Sequence, residues 1–213
     1  MNIYDQYLTT HIKTPWLVSN GFGSNSNNVP KTLWIHCSAT PDDRPTSAVE
    51  IDQWHKGKGW RGIGYHFVIR RDGSVEPGRD PKLTGAHTLG HNLNSLGICM
   101  EGGIADFGET DAFYPDVQWE ALAELVTVLQ EHHDIPDDAV RGHNEVSSKS
   151  CPSFAVDDWL ESLDVDRWLL LREVEEPEHT GTLGYLEGYA TGLKQGRADA
   201  FEQVQDALAA LTK

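Results

Sequence analysis

Apolar and polar positions follow two different periods along the chain. Thr32-Leu33-Trp34-Ile35-His36 is a short, nearly continuous apolar run of the kind that forms a buried strand, and Gly64-Tyr65-His66-Phe67-Val68-Ile69-Arg70 alternates with a period of two. Asp72-Gly73 supplies a turn from that second strand into Ser74-Val75-Glu76, and Leu96 to Glu101 reads as a further core strand. Helical spacing takes over elsewhere. Ser47-Ala48-Val49-Glu50 has the pattern of a capping box and opens a helix to about Lys56, while apolar residues recur at helical intervals from Trp119 to His132. A third helix is expected over Asp157 to Leu171. This order predicts a mixed α/β domain, a central sheet flanked by helices, over about residues 30–172.

Both flanks break the pattern. Residues 1–30 end in the Gly/Ser/Asn tract Ser19 to Asn28, followed by Pro30, and are expected to be an arm or linker. Past residue 172, Gly184, Gly188, Gly192, Gly196 and Ala200 recur every four residues on a segment that otherwise reads as helix. Each glycine inside a helix costs about 1 kcal/mol relative to alanine, so this stretch is either a frayed, solvated tail or a helix offset by close packing, including self-association. The expected organisation is an arm over 1–30, a catalytic domain over 31–172 and an acidic helical tail over 173–213.

Composition narrows the function classes. The 17 basic against 33 acidic residues give a net charge of −16, leaving no diffuse basic surface for a phosphate backbone, so nucleic acid is not an expected partner. Thirteen acids and five bases fall from Asp157 onward, which places half of the net charge on the last quarter of the chain. No apolar run approaches the roughly 20 residues of a membrane span, and Met1 to Gln6 lacks the basic start and apolar middle of a signal peptide. Membrane insertion and standard export are therefore not expected. Cys37, Cys99 and Cys151, odd in number and widely spaced, suit a metal or catalytic role in a reduced compartment better than a disulfide framework.

The chemistry concentrates in Arg141 to Phe154, where His143 and Cys151 stand eight residues apart around a Ser-rich loop. That is not a zinc-finger spacing. A catalytic zinc needs only three protein ligands, and imidazole with thiolate is a suitable pair. His36 is the best candidate for the third, because it ends an apolar strand where a sheet edge projects side chains into a cleft. Taken singly, each of these residues is more often an ordinary packed or hydrogen-bonded side chain.

Together with their surroundings they form a longer series: Trp34-Ile35-His36-Cys37-Ser38-Ala39-Thr40, Gln53-Trp54-His55-Lys56, Gly57 to Trp60, Gly64 to Ile69, Arg71-Asp72-Gly73, Gly78-Arg79-Asp80, Asn94-Ser95-Leu96-Gly97, Gly102-Gly103-Ile104 and His143 to Phe154. Over about residues 31–170 the chain resembles the zinc-dependent N-acetylmuramoyl-L-alanine amidases of type 2, a family that includes phage lysozymes and peptidoglycan recognition proteins. The resemblance implies that fold, with zinc (Zn2+) held by His36, His143 and Cys151, an active-site Tyr65 and a catalytic Lys149. It implies hydrolysis of bacterial peptidoglycan at the amide between N-acetylmuramic acid and L-alanine of the stem peptide, by a zinc-activated water, in a phage endolysin. Such an enzyme is expected to wait in the cytoplasm of the infected host until the membrane is disrupted and then to reach the cell wall.

His87 lies in a loop like one that borders the substrate groove in relatives, which makes it a candidate substrate-binding residue. His66, one position past Tyr65, is expected to be packed or hydrogen-bonded, and His91, His132 and His133 to lie on the surface. Cys37 and Cys99 read as core thiols, Cys37 facing away from the neighbouring ligand. The alternative is a non-catalytic peptidoglycan-binding or RNA polymerase-regulating protein on the same fold. Family members that bind without cutting have lost the cysteine ligand, and Cys151 is present, so the enzyme is preferred. Regulation of RNA polymerase, an activity of one phage lysozyme, depends on surfaces outside the zinc motifs, and nothing in the motifs supports it here. The arm and the glycine-repeat tail have no counterpart in that compact lysozyme, and Asn144 replaces a second histidine beside the ligand.

Overall fold

The computed structural model describes residues 2–20, 27–104 and 114–163. The chain divides into two compact units, residues 1–160 and 161–213, and the architecture below is that of the first. The expected glycine-repeat helix, the self-association it suggested and the end of the helix expected over Asp157 to Leu171 lie outside the described residues; that last helix opens at Val156.

Five strands form one sheet in the order β3-β2-β4-β1-β5: β1 Thr32–Cys37, β2 Phe67–Ile69, β3 Val75–Pro77, β4 Ser95–Met100 and β5 Val140–Gly142. β1 runs parallel to β4 and β5, β2 runs parallel to β4, and β3 closes the edge antiparallel to β2. Central parallel strands are covered on both faces, which is why β1 and β4 carry almost unbroken apolar runs rather than a clean alternation. Leu33, Ile35, Leu96 and Ile98 are wholly buried.

The helices follow from their caps and stripes. α2, Ala48–Gly57, starts at Ser47, whose hydroxyl accepts from the Glu50 N–H while the Glu50 carboxylate accepts from the Ser47 N–H, the reciprocal box anticipated from sequence. Its Ala48 and Ile51 pack with Ile63, Val68 and Cys99 in one cluster, joined by Val18, Trp54 and Tyr65. α3, Asp116–His133, buries Leu122, Leu125, Val126 and Leu129. Gln118 pins its first turn by donating to the carbonyls of Ile69 and Glu101 at 3.0 Å each.

The arm is not merely a linker. Ile3–His11 forms helix α1, with Asn2 accepting from the Asp5 N–H at 2.8 Å as its N-cap. α1 packs on α3, where Tyr4 stacks on His132 with centroids 4.1 Å apart and Tyr7 is buried. His132 is exposed as expected, with Tyr4 stacked on its ring, and His133 is partly buried beside it. Beyond α1, Leu17 and Val18 donate N–H groups to Gly78 O at 2.8 and 3.2 Å, and Asn28 donates its side-chain amide to Pro81 O and Ser95 O. The arm was unreadable because these partners are 50 or more residues away and α1 has no continuous apolar stripe. No helix among the described residues is long and apolar enough to cross a membrane.

Candidate metal centre

Strand register builds the site. β1 and β5 pair in parallel with Ile35 opposite Gly142, so the next residues on each strand, His36 and His143, become neighbours. Their ring centroids are 4.7 Å apart. His36 is fully buried near the end of a central strand, and His143 opens a short 3-10 turn, His143–Glu145, directly after β5.

Cys151 arrives from the loop that follows. Its sulfur lies 3.8 Å from His36 Nδ1 and accepts from the Cys37 backbone N–H at 3.2 Å. The loop is braced on several sides: Tyr114 donates its hydroxyl to Pro152 O at 2.7 Å, Ser153 donates to Gly103 O at 2.8 Å, and Asn144 donates to Phe154 O at 3.2 Å. Phe154 wedges edge-on against Trp119 at 4.7 Å, so an aromatic cluster anchors the segment carrying the thiol. Asn144 is thus a brace on the Cys151 loop.

The ligand atoms of His36, His143 and Cys151 all lie within 4.8 Å of one another. Ligand atoms around a tetrahedral zinc sit roughly 3.4–3.8 Å apart, so small side-chain rotations bring this set onto an ion. Protonation states also fit. Burial, then the charges of His143, Lys149 and His66, hold His36 well below the usual histidine range, and burial followed by Lys149 lowers His143. Both rings are neutral at neutral pH, as ligation requires. The Cys37 side chain and burial push the Cys151 thiol up, while the Cys37 N–H favours its thiolate; a bound cation would reverse the balance and hold the sulfur deprotonated.

One expectation changes around this centre. Cys37 does not face away from the ligand: Cys151 lies off the end of β1, where it reaches His36 Nδ1, the Cys37 N–H and the Cys37 thiol together. The alternation of strand faces does not constrain a group approaching from beyond the strand end. His87 sits in the expected loop, with its Nδ1 3.2 Å from His36 Nε2. His66 is packed as anticipated, accepting from the Gly97 N–H at Nδ1 and donating from Nε2 to Leu83 O at 2.8 and 2.9 Å.

Tyr65 lies two residues before β2, with its ring centroid 5.0 Å from that of His36. Burial holds its phenol well above 10, with the cysteine thiols adding to the shift, so it stays protonated and able to donate a hydrogen bond. Lys149 is exposed on the Cys151 loop, and its charge acts on both histidines.

Sequence reading missed the groups that hold the Ser38–Thr46 loop behind His36. Glu101, 2% exposed, accepts from Arg70 Nε at 2.8 Å, from the Arg71 N–H at 2.9 Å and from the Thr46 N–H. Arg70 also pairs with Glu76, whose other oxygen accepts from the Ala48 N–H at the start of α2. The Thr40 N–H and Thr46 are thereby tied to the strand ends on both sides, with Thr40 N donating to Gly102 O at 3.1 Å. Thr88, 3.2 Å from His36 Nε2, was also missed. Nothing local in the sequence marks either residue, because their partners come from other strands and loops.

Comparison with known proteins agrees with this geometry. The N-acetylmuramoyl-L-alanine amidase family model matches residues 26–154. The endolysin of Escherichia phage T7 is 45% identical over 61% of this chain and 84% of its own length, and that of Enterobacteria phage T3 is 42% identical over 62% and 85%. Among solved structures, the endolysin amidase LysCS from Clostridium intestinale superposes with a TM-score of 0.56 at 27% identity, covering 69% of this chain and 94% of its own. With the family model spanning more than half of the sequence and its fold reproduced here, the protein belongs to the N-acetylmuramoyl-L-alanine amidase family.

Proposed function

We propose that this peptidoglycan amidase cuts the bond between N-acetylmuramic acid and L-alanine at a zinc centre held by His36, His143 and Cys151. The observation that carries this reading is the convergence of two neutral imidazoles and one thiol, from β1, the turn after β5 and the braced loop, within 4.8 Å. Zinc bound there would supply Lewis acidity toward the scissile carbonyl and would lower the pKa of water toward neutrality.

The chain's own residues do the rest. Tyr65, kept protonated by burial, donates a hydrogen bond toward the oxygen on which negative charge develops. Lys149 brings a positive charge that acts on His36 and His143, on a side chain flexible enough to follow the substrate. Cys37 stabilises the ligand thiolate through its backbone N–H. Three ligands leave a fourth position for water or substrate, as hydrolytic zinc sites require. The endolysin resemblance supports a setting in which the enzyme meets the cell wall after release from a phage-infected cell.

Chelator-stripped protein should be inactive on purified peptidoglycan and regain activity with stoichiometric zinc, while His143→Ala should bind zinc poorly and stay inactive at any practical zinc concentration. Full activity of the stripped, verified metal-free protein would overturn the zinc assignment.

A further inference from the structure

The side of His36 turned away from Cys151 is as constrained as the side turned toward it. His36 Nε2 lies 3.2 Å from Thr88 Oγ1 and 3.2 Å from His87 Nδ1, and those two atoms are 3.0 Å from each other. The three polar groups close a triangle behind the ligand ring. Thr88 is 1% exposed, and its backbone is fixed by Asn92, whose Oδ1 accepts from the N–H groups of both His87 and Thr88 at 2.8 Å. The His91 N–H donates back to Thr88 O at 2.9 Å and completes the turn.

Space for the triangle is made by glycine. A Cβ at Gly85 would stand 2.4 Å from His87 Cδ2, and one at Gly97 would stand 2.5 Å from His87 Cγ. Both positions must lack a side chain for the His87 imidazole to reach His36. This is a built arrangement rather than a chance contact at a loop tip.

Counting protons narrows its direction. A neutral imidazole has one N–H and one lone pair, so a His36 that gives Nδ1 to a metal carries its proton on Nε2 and must donate it. If Thr88 accepts that proton and donates its own to His87 Nδ1, the group left without a partner is His87 Nε2–H. His87 Nε2, the other nitrogen of that ring, is indeed buried without a hydrogen bond. If His87 instead carried its proton on Nδ1, Thr88 would accept twice, and both its hydroxyl hydrogen and His87 Nε2 would be orphaned. Two buried orphans are worse than one.

We propose that Thr88 is a positioning residue of the metal centre: its hydroxyl accepts the Nε2–H of His36, locks that ring in the Nδ1-ligating tautomer and orients His87 through a second hydrogen bond. The inference rests on the reading of His36, His143 and Cys151 as the zinc ligands. It adds a residue outside the family's zinc motifs, acting through a ligand rather than on the substrate.

The test uses the full chain with Thr88→Val, which keeps the shape and removes the hydroxyl, beside Thr88→Ser, which keeps the hydroxyl. Zinc affinity is measured by competition with a chromophoric chelator, and the visible absorption of the cobalt-substituted proteins reports the ligand field. Thr88→Val should weaken zinc binding by roughly 10- to 100-fold and shift the cobalt bands, and Thr88→Ser should restore both. A Thr88→Val protein that binds zinc as tightly as the parent with an unaltered cobalt spectrum would overturn the proposal, whatever its thermal stability. Should Thr88→Val fail to fold by circular dichroism, Thr88→Ala removes the hydroxyl without adding bulk and is read by the same criteria. A parent protein that binds neither metal would overturn the ligand triad itself, and the role of Thr88 with it.

Discussion

Tyr65 and His66 are adjacent in sequence and opposite in role. His66 spends both ring nitrogens on backbone partners, whereas the Tyr65 ring lies 5.0 Å from that of His36 with its phenol proton retained. Tyr65→Phe is therefore expected to lower kcat by about 10²- to 10³-fold while leaving zinc affinity unchanged, a split that turnover assays and chelator competition measure together. His66 makes a different prediction. Burial, opposed by the Leu83 carbonyl and assisted by Arg79, lowers its pKa to about 4, below the ordinary histidine value near 6.5. A group depressed in this way disfavours protonation in the folded state. Its contribution is intact above about pH 6.5 and is lost as pH falls toward 4, on the order of 3 kcal/mol in total. Unfolding midpoints in denaturant should fall across that window, and His66→Gln, which cannot titrate, should show a shallower fall; an identical slope would contradict the assignment.

Among elements, the parallel pairing of β1 with β5 does most to make the site, and it was only half legible. β1 announced itself through Leu33-Trp34-Ile35, and His36 was correctly placed at its end. β5 did not, because Val-Arg-Gly is too short for any period to show and its assignment rests on partners more than 100 residues away. The capping box of α2 was legible because it is local: every atom involved lies within four residues. Ser47→Ala should cost about 1 kcal/mol, read as a lowered midpoint in denaturant unfolding. α1 was hidden for the reason that hid β5, since its stability comes from α3 rather than from its own pattern. Tyr7 is buried there with a hydroxyl that makes no hydrogen bond, so Tyr7→Phe should be neutral or stabilising while Tyr7→Ala should cost about 3 kcal/mol. Comparable losses from both substitutions would show that the hydroxyl has a partner after all.

At the scale of the whole molecule, the chain separates scaffold from chemistry. A parallel sheet with buried faces fixes two histidines by register, aromatic packing fixes the thiol, and the ion network around Glu101 fixes the loop behind them. Motif order along the sequence was enough to recognise the family and to single out His36, His143 and Cys151, which the fold brings together. The braces were not readable, since a glutamate, a threonine or an asparagine acquires its role only from what the fold places beside it. The most direct test of the central claim is mass spectrometry of the soluble products released from purified peptidoglycan by the zinc-loaded protein, with Cys151→Ala alongside. Stem peptides that begin with a free L-alanine amine, absent from the variant, are the predicted result. Products cut elsewhere in the stem or in the glycan, or the same peptides from folded Cys151→Ala, would contradict it.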